Sequence, residues 1–327
     1  MKEVGSLIAT SALFAGALCV AGCGGSGHPD FGTMSQLRRD RVSAVIDVGG
    51  APDAPDWQAQ ATDAVWVANA DKGTIQRIDP KTNRVTAAPV TIKQPCAGLV
   101  VAFASVWSED CDQNELVRVD ERSGRELARI PVIPADSEGL LTATQTAVYV
   151  VSKDASSVHY FVAKVDPTTN KIVRKIPVEP GAVAAAAGFG SVWVTNPFLG
   201  TVTRIDAASD RVTGTTKTRK GARFLATGEG AVWILNQSDG SVSKLDPGSG
   251  NVVATIPAKV PGEGGCIATG LGSVWVSMPD TPVLRIDPKS NKVIERWTGG
   301  GGDCIGVGFG SVWLENNDVG NVWRIKP

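Results

Sequence analysis

An aromatic residue preceded by a small or branched apolar one returns seven times along the 327-residue chain, at Trp66, Trp107, Tyr149, Trp193, Trp233, Trp275 and Trp313, with spacings of 41, 42, 44, 40, 42 and 38 residues. No other feature restricts the fold so strongly. After each anchor comes a segment of the type G-x-V-x-R-I-D-P, as in residues 202–206 and 283–288, and then an apolar alternation ending in Ile-Pro or its equivalent, as at Ile176-Pro177 and Ile256-Pro257. Each unit thus holds four short runs rich in Val, Ile and Trp, separated by Gly, Pro, Asn and Asp and free of helical periodicity. Four strands in a unit of about 40 residues make one blade of a β-propeller. The expected fold is all-β, a seven-bladed β-propeller of four-stranded blades.

With strands lettered A to D from the axis outward, A is the small-residue run before each anchor, B carries the aromatic residue, C carries R-I-D and D carries the Ile-Pro ending. Small residues suit A because the inner strands converge on the axis. The last unit ends at Lys326-Pro327 without a D strand, whereas residues 41–48, RVSAVIDV, read as a D strand without a blade. The N-terminal strand is therefore expected to complete the last blade and close the ring, which removes the open sheet edges. One propeller then covers residues 41–327.

Features that every unit shares are scaffold. The Gly-x-Gly elements at Gly188-Phe189-Gly190, Gly228-Glu229-Gly230, Gly270-Leu271-Gly272 and Gly308-Phe309-Gly310 sit at one offset before the anchor with no helix after them, so they read as A-to-B hairpin turns and not as phosphate loops. The Asp-Pro pairs, such as Asp166-Pro167 and Asp287-Pro288, open the C-to-D turns. Asn69, Asn196, Asn236 and Asn316, each three past its anchor, begin the B-to-C connections.

Upstream of the repeat, Met1 and Lys2 precede the apolar run of residues 7–20, which is too short to span a bilayer comfortably. The run ends in Val20-Ala21-Gly22-Cys23, a pattern similar to the lipobox of bacterial lipoproteins. Residues 1–22 are read as a signal peptide, Cys23 as the lipid attachment site and residues 23–40 as a flexible tether. The expected location is outside the cytoplasm, lipid-anchored to the bacterial membrane or envelope. Lys plus Arg number 32 against 33 Asp plus Glu, so bulk charge offers a polyanion nothing, and no nucleic-acid partner is expected.

With Cys19 in the signal and Cys23 lipidated, Cys96, Cys111, Cys266 and Cys304 remain, an even set in an exported chain. The repeat register places Cys96 and Cys111 symmetrically about an A-to-B turn, directly opposite each other. Cys266 and Cys304 each lie nine residues before an anchor, at equivalent points on the A strands of adjacent blades. The expected bridges are Cys96 to Cys111 and Cys266 to Cys304, with two free thiols or a soft-metal site as the alternative for the second pair.

Where the copies disagree, function has room. The D-to-A and B-to-C connections gather on one rim, where carboxylates outnumber bases. Glu138, Glu263, Asp303 and Glu315 are candidate ligands for a hard cation or a cationic group, so a divalent cation is the one cofactor the sequence suggests. The basic cluster of Lys217, Arg219, Lys220 and Arg223 is the counterpart, with Arg219 and Arg223 as candidate ligand contacts. His159, in the longest B-to-C connection, is the sole His outside the tether and a candidate acid or base. No G-x-S-x-G, H-E-x-x-H or C-x-x-C motif occurs.

The S-V-W-V-x-N and V-x-R-I-D-P-x-T units resemble those of YVTN-repeat and NHL-repeat propellers and of the virginiamycin B lyase-like family, over residues 41–327. The resemblance implies a seven-bladed propeller. In its lyase branch it also implies a catalytic His and a bound Mg²⁺ on the rim, opening a cyclic depsipeptide by elimination. Around Trp275 and Trp313, the corresponding late blades, there is no His, so the resemblance argues against that activity here. The leading reading is a monomeric, membrane-tethered binding or scaffold lipoprotein that engages a protein, glycan or small ligand. Its rival is a metal-assisted lyase or hydrolase using rim carboxylates with His159. Non-reducing peptide mapping is expected to yield Cys96–Cys111 and Cys266–Cys304 peptides, and a Cys111–Cys266 peptide would overturn the register argument.

Overall fold

The structure is a computed structural model that describes residues 39–49, 55–86, 88–136, 138–139 and 141–327. The signal, Cys23 and nearly all of the tether lie outside the described residues. Seven antiparallel sheets succeed one another along the chain, each in the order A-B-C-D. Blade 4 is representative, with A at Ala185–Gly188, B at Ser191–Asn196, C at Thr201–Asp206 and D at Arg211–Lys217. Blade 1 departs from the pattern: its D strand is two short pieces, Arg84–Val85 and Val90–Thr91, both paired with C. The ring closes as expected, with Val42–Asp47 pairing antiparallel to Asn321–Ile325 as the outer strand of blade 7.

The seven anchors lie between blades and are at most 1% exposed. Five Trp indoles donate to the carbonyl five residues earlier, at the end of the same blade's A strand, as Trp193 does to Gly188 and Trp275 to Gly270. In blades 2 to 7 the basic residue of R-I-D, or its counterpart, lies over the anchor ring of its own blade, with Arg204 5.1 Å from the Trp193 centroid and Arg285 4.8 Å from that of Trp275. In blades 2, 3, 4, 5 and 7 its far end crosses to the next blade. Arg204 Nη1 donates to Gly248 O at 2.8 Å, and Lys244 Nζ to Pro288 O at 2.7 Å. Arg324 donates to Pro80 O and to Asn83 Oδ1, which ties the last blade to the first. The repeated Asp-Pro turns are therefore docking points for a neighbour's cation as well as turns.

Near the axis, space is short, as the small-residue A strands foretell. A Cβ on Gly228 would stand 2.3 Å from Thr269 Oγ1 of the next blade. The same crowding lets A strands bond across blades: Thr227 Oγ1 donates to Ala187 O at 2.6 Å, and Thr269 Oγ1 to Thr227 O at 2.9 Å. The A-to-B turns of blades 2, 4, 5, 6 and 7 have positive φ at both central residues, for example Phe189 at 54° and Gly190 at 73°, which matches the twist of a tight two-residue hairpin. Trp233, fully buried, fills the joint between blades 5 and 6. Trp233→Ala is expected to cost about 3–5 kcal/mol of stability, measured as a lower urea midpoint at unchanged slope.

Candidate ligand site at the channel mouth

All seven blades contribute to a central cavity of about 170 Å³, through residues such as Trp57, Leu99, Phe224, Ile267, Cys304 and Ile305. Trp57 of blade 1 and Phe224 of blade 5 meet edge to face across it, their rings 5.8 Å apart. The Cys266–Cys304 bridge borders it too, joining the A strands of blades 6 and 7 with a Cα separation of 4.7 Å. In a narrow axis two equivalent positions of adjacent blades come within bridging distance.

The residues just before these lining positions hold the charge. Counted from the anchors, Asp56, Arg223 and Asp303 all stand ten residues upstream, at Trp66, Trp233 and Trp313. That repeat position is Ala97, Gly139, Val183 and Gly265 in the other blades. Asp303 Oδ1 accepts the Gly265 N–H at 3.1 Å, and Asn317 Nδ2 lies 3.5 Å from Oδ2. Asp56 shares a side-chain hydrogen bond with Asp303, and its carboxyl is pushed up to about 8 by burial, by the Asp303 charge, by that hydrogen bond and by Glu138.

Behind this pair stands Glu315, two residues past the Trp313 anchor and facing the joint between blades 7 and 1. Its side chain is wholly buried, and neither carboxylate oxygen has a hydrogen-bond partner among the described residues. Burial raises its pKa well above the ordinary value, and the charges of Asp303 and Asp56 raise it further. Glu109 occupies the same repeat position in blade 2 and is likewise buried with unpartnered oxygens, its pKa raised by burial alone. The neighbouring Asp110 is satisfied by contrast, accepting from the Lys93 and Gln94 N–H groups and pairing with Arg129 at 3.2 Å.

The rim candidates thus divide. Asp303 and Glu315 come together, joined by Asp56, which the sequence reading passed over although it shares Asp303's repeat position. Glu138 lies close enough to act on Asp56, but its carboxylate is held by Arg223 at 2.7 Å, and Arg223 also pairs with Asp136 at 2.9 Å. The basic cluster does not act as a unit. Arg223 turns inward, Arg219 pairs with Asp239 at 2.8 Å, and Lys217 donates to Leu199 O. Glu263 is exposed, and no described hydrogen bond or ion pair joins it to the carboxylates. His159 is also apart, exposed in its own loop with Nδ1 2.6 Å from Asp154 Oδ2.

The structure joins Cys96 to Cys111 at a Cα separation of 5.9 Å, but not directly opposite as the simple register requires. A bulge after Cys96 shifts the ladder so that Cys96 faces Glu109 and Cys111 N–H donates to Gln94 O. The bridge is diagonal, and Gly98, at φ 116°, takes up the extra chain.

A rim Mg²⁺ of the lyase type does not fit these side chains. Among the described residues no three His, Cys, Asp or Glu are gathered to hold a metal ion, and no His stands near the carboxylates. What the mouth offers is a group of acids close to an apolar chamber. A carboxyl whose pKa is higher in the fold than in the unfolded chain makes the folded state the better proton binder, so this site loses stability as pH rises from about 3.8 to about 8. Asp56→Asn is expected to flatten that decline in urea unfolding between pH 5 and 9 and to exceed the parent in stability at pH 9.

No protein-family model matches the chain, and no curated protein matches its sequence. Solved structures do. A streptogramin B lyase superposes with TM-score 0.71 at 14% identity, covering 86% of this chain and 96% of its own. Virginiamycin B lyase from Staphylococcus aureus gives 0.70 at 14%, covering 87% and 98%. BamB from Moraxella catarrhalis gives 0.61 at 13%, covering 89% and 95%. At such identities the likeness is one of fold, and in fold this chain is a seven-bladed β-propeller similar to virginiamycin B lyase and BamB.

Proposed function

We propose that the protein is an exported, lipid-tethered binding module whose channel mouth captures a ligand. The observation that carries this reading is the fully buried Glu315, with no hydrogen-bond partner for either oxygen among the described residues, near the Asp56–Asp303 pair at the channel mouth. Residues 1–22 serve as the signal, Cys23 carries the lipid, and residues 23–40 form the tether. Two disulfides agree with an oxidising compartment.

The strand register supports an orientation. Val42 lies opposite Ile325 and Asp47 opposite Asn321, so the N-terminal strand enters the ring on the side away from the B-to-C connections. A tether from that side leaves the mouth directed away from the membrane and open to a soluble ligand. The lyase or hydrolase reading finds less support, because His159 bonds Asp154 in an exposed loop and has no described contact with the rim acids.

Two measurements test the proposal on the full-length protein. Cys23→Ser is expected to abolish incorporation of labelled fatty acid and release the protein from the membrane fraction. A panel of small cationic, neutral and anionic compounds is expected to include at least one that raises Tm in the parent and not in Asp303→Asn. If no compound of any class does so, the mouth is not a small-ligand site.

A further inference from the structure

We infer that the cleft between blades 3 and 4, on the face opposite the channel mouth, is a second binding site and takes one ring of a neutral oligosaccharide. This site is independent of the channel mouth. Strand A of each blade runs away from the mouth into its A-to-B turn, so these turns lie on the side where the N-terminal strand enters. There Thr144, Gln145 and Thr146 of the blade 3 turn, Phe189 of the blade 4 turn, and Ala207 and Ala208 of the blade 4 C-to-D turn help to line a cleft of about 610 Å³. The axial cavity has about 170 Å³, and small-molecule sites run from about 300 to 1,000 Å³.

The repeat departs from itself at this joint. Tyr149 is the one anchor that is not Trp, and the turn before it, Thr144-Gln145-Thr146, has neither glycine of the Gly-x-Gly elements. Lys164, in the place of the R-I-D arginine, ends on Asp210 at 2.7 Å, whereas Lys244 and Arg324 each take a carbonyl and an Asn side chain of the next blade's C-to-D turn. At the joint of blades 5 and 6 the two A-to-B turns are latched, Glu229 Oε1 accepting the Gly272 N–H at 3.1 Å. Among the described residues no such bond joins the turns of blades 3 and 4.

The lining selects the class of ligand. None of the residues that line the cleft is charged, and Asp210, two past Ala208, is already paired with Lys164, so an ion finds no free counter-charge there. Phe103 and Phe309 hold the repeat position of Phe189 but pack against the cores of their blades, whereas Phe189 is 45% exposed. Gln145 and Thr146 are exposed beside it, and an amide and a hydroxyl both donate and accept. A pyranose has the matching surfaces: a face of C–H bonds that packs on the electron-rich face of an aromatic ring, and an edge of hydroxyls that need donors and acceptors alike. An apolar ligand leaves the amide and hydroxyl unused, and an open-chain polyol leaves Phe189 uncovered.

The test is calorimetric titration of the full-length protein with maltotriose, cellotriose and N-acetylchitotriose, with trigalacturonate as the anionic control. Expected results are binding of at least one neutral trisaccharide at least about 10-fold tighter than trigalacturonate, and a loss of at least about 10-fold in Phe189→Leu, which stays apolar but lacks the ring. Phe189→Gly relaxes the turn at φ 54° and should bind no better than Phe189→Leu, so a folding defect in one variant leaves the other to decide. Gln145→Ala should also weaken the sugar, and Asp303→Asn should leave it unchanged. Binding of none of the three neutral sugars, or preference for trigalacturonate, overturns the inference. Binding unaffected by either Phe189 variant overturns the location, and binding lost in Asp303→Asn alone moves the sugar to the channel mouth, which overturns this site and supports the proposed function.

Discussion

Every joint of the ring rests on the packing of one large aromatic side chain between two sheets. In all seven blades this anchor is among the largest fully buried side chains of the described residues. Around it the repeat adds an indole bond to the A strand, a cation above the ring, and a contact from that cation to the next blade's C-to-D turn. Arg204, Lys244 and Arg324 show the arrangement most fully. Individually such polar contacts are worth little near the surface. Repeated around a closed ring they hold each blade in angle against its neighbour, and the geometry of the channel mouth depends on those angles.

That constraint explains why chemistry is confined to a few positions. The anchor, the R-I-D cation and the hairpin turn cannot vary without loosening a joint. The residue ten before the anchor and the residue two after it can vary, because they meet the channel mouth or the top of the joint. In five blades the latter position is Ala, Val, Thr, Leu or Ser, and in blades 2 and 7 it is Glu109 and Glu315. Replacing an apolar or small residue in a packed joint by an acid costs stability unless something completes it. Asp56 and Asp303 repeat that choice at the mouth, directly beside the Cys266–Cys304 bridge. The bridge restrains the A strands that carry the site and keeps Asp303 beside Gly265.

Much of this was legible in the chain. Recurrence of the anchors about every 40 residues yields the blade count, the orphan strand at residues 41–48 yields the closure, and equivalent offsets of Cys266 and Cys304 yield their pairing. Other points needed coordinates. The rim list contained Glu263 and His159 beside Asp303 and Glu315, since exposed loop residues and converging ones have the same composition. Asp56 is absent from that list although it stands ten before its anchor, as Asp303 does. The basic cluster after strand D of blade 4 looked continuous, yet alternate residues point to different partners, so Arg223 faces Glu138 while Arg219 faces Asp239.

By itself the sequence determined the architecture, because a 40-residue period of alternating apolar runs has one economical way to bury its aromatic residues and close its edges. Only the tertiary structure decided which acids meet, which cation neutralises them and which carboxylate is left dry. Those relations join blades that are far apart in the chain, as Asp56 and Asp303 are, and they turn on ring curvature and on local bulges such as the one after Cys96. Periodicity is blind to both, since it records where a residue stands within its own blade and not what the neighbouring blades place against it.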